Sequence, residues 1–290
     1  MSLINKLKGI VLKKVFKSAY RPGAYYSVIP DTAEVEREAR RIFADKKPED
    51  IGAINIDRDG IASFLNRNRS IMAEFNFPEN KSVNFRYYTN NIFFNKSDAL
   101  ALFIILRSFA PQRVIEVGSG FSSALMLDVR DRYGDNRTPH LTFIEPYPDR
   151  LNSLLTPADH SRSRIRITKV QDVPPADFMQ LKENDLLFVD SSHVSKVGSD
   201  LNYLMFEILP KLNKGVIVHF HDIFYPFEYP KDWILQGVAW NEIYLLRAFL
   251  MHNEYYRIVL FNNFIGKDDI LSSICPDLAR GGSIYLQKVK

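Results

Sequence analysis

From residue 113 to the C-terminus, short apolar runs alternate with amphipathic helical stretches. Arg113-Val-Ile-Glu-Val117 ends at Gly118, and Leu141-Thr-Phe-Ile-Glu145 ends at Pro146. The runs 164–170, 185–190, 216–221, 256–261 and 282–288 follow. Runs of this length and β-branched or aromatic content suit buried strands. Helical patterns stand between them, around 124–129, 201–212 and 233–251, so the cadence predicts βαβ units and a seven-stranded, mainly parallel sheet. Lys214-Gly215 marks a helix stop before the fifth strand.

Residues 1 to about 85 read differently, as helices without strands. Asp31 is a candidate N-cap for a helix over 32–45, with Val35, Ala39, Ile42 and Phe43 on one face. A second pattern runs from about Asp59 to Phe75 and closes at Pro78 and Asn80. The chain therefore divides into a helical extension, 1–85, and an α/β domain, 86–290. Between them, Phe85-Arg-Tyr-Tyr-Thr-Asn-Asn-Ile-Phe-Phe-Asn-Lys-Ser-Asp98 concentrates aromatics and amides before a helix, 98–109, with Asp98 near its cap. That stretch reads equally well as a ligand wall or as a packed linker.

Composition narrows the class. A hydrophobic share of 46%, a charged share of 25% and a net charge of +4 are those of an ordinary globular protein. The single cysteine, Cys275, excludes an intramolecular disulfide and a cysteine zinc cluster, and suits a cytoplasmic setting. At the N-terminus, Lys6, Lys8, Lys13, Lys14, Lys17 and Arg21 interleave with apolar residues, and no acid precedes Asp31. This is a surface helix with a solvated lysine face, or a weak contact with an anionic membrane surface. It lacks the uninterrupted apolar core of a signal peptide.

The candidate chemistry lies where the apolar runs stop. In an open α/β sheet, ligands bind outside the carboxyl ends of the strands, where strand order reverses. Those ends carry Glu116 to Gly120, Glu145, Asp172, Asp190 to His193 and His219 to Asp222. A purely structural sheet has no need of carboxylates at successive strand ends. The glycines bring backbone N–H groups close to a ligand, and Glu145 is placed to accept ribose hydroxyls. Asp172 is an adenine contact or a solvent-facing loop residue. His219 and His221 share one side of a strand, with His219 the better core residue.

Glu116-x-Gly118-x-Gly120 resembles motif I of the class I S-adenosylmethionine-dependent methyltransferases. With Tyr87-Tyr-Thr-Asn-Asn-Ile-Phe-Phe94, Val189-Asp-Ser-Ser-His193 and His219-Phe-His-Asp-Ile-Phe-Tyr-Pro226, it is similar to a bacterial subfamily of O-methyltransferase-like proteins. The resemblance covers about residues 85 to 290. It implies a doubly wound, Rossmann-like sheet whose last strand runs antiparallel between the fifth and sixth. It also implies S-adenosylmethionine held by Glu116, Gly118, Ser119, Gly120, Ser122, Glu145, Asp172 and Asp190. Asp190, His193, His221 and Asp222 then form the catalytic face. The resemblance extends to divalent-metal enzymes of the catechol type, which places a cation on Asp190, His221 and Asp222. Imidazole at 221 argues against magnesium. A metal-free reading makes His193 or His221 the general base, oriented by Asp190 or Asp222, and the residues leave the two open.

The acceptor implied is a sugar or aromatic hydroxyl, with the loop Asp222-Ile-Phe-Tyr-Pro-Phe-Glu-Tyr-Pro-Lys-Asp-Trp233 forming its wall or packing on the N-terminal helices. A nicotinamide enzyme is disfavoured, since Ser123 replaces the third glycine. A hydrolase using Asp190, His221 and Asp222 leaves the glycine loop unused. A membrane-associated scaffold with a vestigial pocket is the non-enzyme alternative, and a homodimer is compatible with the chain. No basic signal beyond the N-terminus suggests nucleic acid.

Overall fold

A computed structural model of the protein describes residues 18–47, 50–134 and 139–290. The basic run expected as a surface helix lies mostly within residues 1–17, outside the described residues. Seven strands form one sheet: β1 (Arg113–Val117), β2 (His140–Ile144), β3 (Arg164–Arg166), β4 (Leu186–Val189), β5 (Ile217–Phe220), β6 (Tyr256–Phe261) and β7 (Ile284–Lys288). Their order is β3-β2-β1-β4-β5-β7-β6. β1 pairs in parallel with β2 and β4, β2 with β3, and β4 with β5. β7 is antiparallel to both β5 and β6. This is the doubly wound seven-stranded methyltransferase sheet, with strand order reversing at β1 and β4.

Helices cover both faces, which is why the central strands can be apolar throughout. All residues of β4 and β5 are buried. The helix Lys96–Phe109 feeds β1; it is capped by Asn95, whose side chain accepts from the Ser97 and Asp98 amides, and it ends at left-handed Ala110 before Pro111. The cap is thus Asn95 and not Asp98, whose carboxylate is used elsewhere. The N-terminal helices share the core of the sheet: Val35, Ile61, Phe64 and Leu65 belong to the same buried cluster as Leu286. Among the described residues, no helix is long and apolar enough to cross a membrane.

Several expected helices are interrupted. Asp31 does cap the first, accepting from Ala33 and Glu34, but the helix breaks at Glu38 into Thr32–Arg37 and Ala39–Ile42. The second splits into Arg58–Arg67 and Arg69–Ala73 at Asn68, whose side chain donates to the Phe64 carbonyl at 2.8 Å. A buried side chain bonded back by four residues distorts the ladder there. The pattern expected over 201–212 is a single α turn, Asp200–Tyr203, that widens into a π turn over Leu204–Ile208 and closes as a 3-10 turn ahead of Leu212. Pro210 cannot supply the amide that would continue it. Gly237, with φ +92°, separates Lys231–Leu235 from Glu242–Leu250.

The aromatic and amide stretch is fixed by one charged node. The Arg86 guanidinium donates to Asp128 at 2.8 Å, to Asp131 at 2.8 Å and to both oxygens of Asp159 at 2.7 and 2.8 Å. The backbone amides of Arg86 and Tyr87 each donate to the other oxygen of Asp128 at 2.9 Å. Asp128 and Asp159 are fully buried, so Arg86 is the counter-ion that lets them stay charged. Replacing Arg86 with Met should cost about 3–5 kcal/mol, since it leaves buried Asp128 without a cation and Asp159 with only Arg130 at 3.5 Å. Chemical denaturation measures this, and a loss below about 1 kcal/mol would mean the node is as dispensable as a surface ion pair.

Candidate active site

The glycine loop leaves β1 at Gly118, which has φ +83°. A Cβ there would lie 1.7 Å from the Asp190 carbonyl oxygen. No side chain fits, and the loop after β1 therefore lies directly on the loop after β4. Gly118 N–H donates to Ile144 O at 3.1 Å and Ser119 N–H to Glu145 Oε2 at 3.0 Å. The other Glu145 oxygen accepts from Tyr147 N–H at 2.7 Å. Ser119 Oγ is buried without a hydrogen-bond partner.

Glu116 departs from the expectation of a cofactor contact, whereas Ser122 lines the cavity described below. Glu116 is fully buried and accepts from Ser122 Oγ at 2.5 Å and also from Ser123 Oγ. Burial pushes its carboxyl up to about 8 against those hydrogen bonds. The pair clamps the start of the helix Phe121–Tyr133 from beneath, and Ser123 also accepts from Gly120 N–H at 3.0 Å. A strand residue two places before the first glycine faces the helix packed on the sheet, not the rim.

Gly118, Ser119, Gly120, Asp190, His193, His221 and Asp222 line one cavity of about 710 Å³. Phe93, Phe94, Asp98, Arg150, Phe224, Trp233, Trp240 and Arg280 complete much of its wall. Both readings of the aromatic segments hold in part. Tyr87, Tyr225, Phe227 and Tyr229 are buried packing residues, whereas Phe93, Phe224 and Trp233 face the cavity. Glu145 sits behind the loop it braces. Asp172 is exposed in the turn Val170–Asp172, outside the lining.

At the centre, two imidazoles and two carboxylates alternate in a ring. His193 Nε2 stands 3.3 Å from Asp190 Oδ1 and 3.8 Å from Asp222 Oδ2. His221 Nδ1 stands 3.6 Å from the same Asp190 oxygen and 3.5 Å from the same Asp222 oxygen. Behind each imidazole is a further buried acid. Glu242 Oε2 is 2.7 Å from His193 Nδ1, and Asp98 Oδ2 is 3.5 Å from His221 Nε2. The orienting acids are thus Glu242 and Asp98, and the expected ones, Asp190 and Asp222, face the opposite nitrogens. Glu242 carries no motif signal, and Asp98 looks like a helix-cap acid.

The electrostatics follow from this packing. Burial alone would lower both histidines. Hydrogen bonds to Asp190 and Glu242 outweigh it and hold His193 at about 10. Asp190, Asp222 and Asp98 hold His221 well above its ordinary value. Burial opposes ionisation of Asp190, yet His221 and His193 keep it near 2. His219 behaves oppositely: fully buried and stacked 3.7 Å from Phe188, it is driven well below its ordinary value and stays neutral.

Two residues of the ring have left-handed backbones, His193 at φ +58° and Asp222 at φ +56°. Such conformations persist where surroundings over-determine them. For His193 the surroundings are visible. Its carbonyl accepts from the Asn241 and Glu242 amides, both at 3.1 Å, while its ring pairs with the Glu242 side chain. Asp200 pins the adjacent Ser192 through its amide at 2.9 Å and hydroxyl at 2.6 Å.

Asp190, His221 and Asp222, the residues expected to hold a divalent cation, are neighbours in the ring. The three converge, but among the described residues no group of His, Cys, Asp and Glu side chains is arranged to hold a metal ion.

A family model described as a methyltransferase domain matches residues 115–223. A protein of Archaeoglobus fulgidus described as uncharacterized is 30% identical over a 200-residue alignment that covers 63% of this chain and 86% of that one. Solved structures with similar backbones include the SAH-bound methyltransferase PaMTH1 of Podospora anserina, at 14% identity and TM-score 0.44, covering 91% of this chain and 99% of that one. Another is CalS11, a TDP-rhamnose 3'-O-methyltransferase of calicheamicin biosynthesis, at 16% identity and TM-score 0.44, covering 85% and 97%.

The raised His193 value has a stability consequence. Its folded-state pKa of about 10 exceeds the unfolded value of about 6.5. The stabilisation is complete below the unfolded value and disappears as pH rises through the folded one. His193→Gln should flatten the decline of the denaturation midpoint between about pH 7 and about pH 10. An equally steep decline in the variant would assign the alkaline loss to other groups.

Proposed function

We propose that the chain is a class I S-adenosylmethionine-dependent methyltransferase that methylates a hydroxyl of a small polar acceptor, a sugar or an aromatic alcohol, with His193 taking the proton. This sets aside the hydrolase and scaffold alternatives. The cofactor supplies a sulfonium methyl group open to in-line attack by oxygen. One feature suits the cofactor: Gly118, Ser119, Gly120 and Ser122 line the cavity at the ends of β1 and β4. In this reading Gly118, Ser119 and Gly120 form its bed, Glu145 receives the ribose, Asp172 approaches the adenine and Asp190 faces its charged tail. Residues 1–85 serve as the helical extension of the transferase domain, 86–290.

One observation carries the proton step. His193 Nε2 opens into the cavity while Glu242 holds Nδ1 at 2.7 Å. This fixes the ring orientation and supports the imidazolium that forms when Nε2 gains a proton. Asp190 and Asp222 flank the same nitrogen and give an acceptor hydroxyl two hydrogen-bond acceptors. A sulfonium placed in this cavity disfavours a second cation there, so His193 deprotonates more readily once the cofactor is seated. Trp233, Trp240 and Phe224 supply flat apolar faces suited to a sugar ring. No step is routed through a metal.

With labelled cofactor and a panel of glycosides and phenols, a responsive acceptor permits three measurements. His193→Gln should lower kcat by about 10²- to 10⁴-fold and leave S-adenosylhomocysteine binding unchanged. Because the base must be neutral, kcat/KM should rise with pH toward about 10 in the free enzyme. Glu242→Gln removes support for the imidazolium, lowers its pKa and moves that limb to lower pH. The rate should survive chelation; loss on chelation with recovery on adding a divalent cation would replace the base with a metal.

A further inference from the structure

The cavity holds charges that the proton step does not use. The carboxylates Asp98, Asp190 and Asp222 line it, together with the cations His193, His221, Arg150 and Arg280. The two imidazoles are committed to the ring, leaving the arginines. Asp190 and its neighbours suit the ammonium and sulfonium of the cofactor, but they repel the carboxylate of its methionine-like tail. That carboxylate needs a cation on the glycine-loop side.

Arg150 is built into that side. Its guanidinium carbon lies 3.6 Å from the centroid of the Phe93 ring. Phe93 in turn stacks on Phe121, with centroids 5.9 Å apart and planes 18° apart. Its Cδ would be 3.1 Å from a Cβ at Gly120, so the stem rests on the loop where the absent side chain leaves room. A guanidinium flat on an aromatic ring uses its face and keeps its in-plane N–H groups for a planar anion. Among the described residues, its side chain has no carboxylate or hydrogen-bond partner. Ser119 and Ser122 of the same loop and helix start line the same cavity. The first turn of the 13-residue helix Phe121–Tyr133 adds backbone N–H groups.

We propose that Arg150, held over Phe93 beside the Gly118–Gly120 loop, binds the carboxylate of the cofactor's amino-acid tail. This rests on the methyltransferase reading. Arg280 lies on the other side, delivered by Gly281 and Gly282, where added Cβ atoms would meet Asp98 Oδ1 at 2.5 Å and Asp222 Cα at 3.1 Å. It belongs to the acceptor end and has no part in tail binding.

The test compares two probes on the full chain by calorimetry. S-adenosylhomocysteine carries the tail; 5'-methylthioadenosine lacks it. Arg150→Gln should weaken the first by about 10- to 100-fold, the range for a hydrogen bond to a charged group, and leave the second within about twofold. Arg150→Lys should fall between, since the charge remains without the flat fork. Arg280→Gln should change neither. Equal weakening of both probes by Arg150→Gln would make Arg150 a packing residue and overturn the proposal, as would no weakening of either. If the unaltered protein binds neither probe, the cofactor reading itself fails.

Discussion

A single steric constraint holds the two halves of the site together. Gly118 has no room for even a methyl group beside the Asp190 carbonyl, because β1 and β4 are hydrogen-bonded neighbours that end in step, Val117 opposite Val189. Asp190 N–H donates to Val117 O at 2.9 Å, continuing the ladder one residue past the strand. The chain then diverges, into the glycine loop on one side and into Asp190–His193 on the other. Strand order reverses between these two strands, so a crevice opens between the divergent loops. A side chain at 118 would force them apart, and the glycine loop would no longer abut the ring of imidazoles and carboxylates.

Charge is the second constraint. Asp98, His193, His221 and Glu242 are each more than nine-tenths buried, and unpaired charges at such depth cost several kcal/mol each. Alternation resolves this. Each imidazole lies between a rear acid and the two front acids, so no carboxylate is without a cationic neighbour. The same arrangement makes the histidines far stronger bases than they are in water. A strong base in a cavity is useful only if something displaces its proton, and in the proposed reaction a cationic cofactor would do so. The high pKa and the positive cofactor are thus complementary.

Much of the scaffold was legible because its signals are local. Strand ends reveal themselves where apolar runs stop at Gly118, Glu145, Asp190 and His221, and the sheet order agrees with them. Asp190, His193, His221 and Asp222 do meet in one cavity. What stayed hidden depends on distant contacts. Glu242 begins a helix 49 residues after His193 and resembles any acid in a first turn. Asp98 looked like a cap because an acid at a helix start usually is one, while Asn95 takes that role and frees the carboxylate. Glu116 was misread because the spacing shows which loop a residue precedes but not which face of the strand it occupies. The helix breaks at Asn68 and over Leu204–Ile208 come from buried side-chain bonding and a proline, neither of which alters apolar periodicity.

The antiparallel last strand explains how Asp98 can serve the ring. The parallel strands deliver their carboxyl ends to the rim, but β7 runs the other way, so its amino end arrives there instead. Gly281-Gly282-Ser283 thereby passes between the start of the helix Lys96–Phe109 and Asp222. Ser283 N–H donates to Asp98 Oδ1 at 2.9 Å, and Gly282 O accepts from Ile223 N–H at 2.7 Å. One short strap fixes the acid behind His221 and the backbone after Asp222 at once. A parallel strand in that place would bring a carboxyl end and its outgoing loop, with neither amide directed at Asp98. The reversal of β7 is therefore part of the ring's geometry as well as a closure of the sheet.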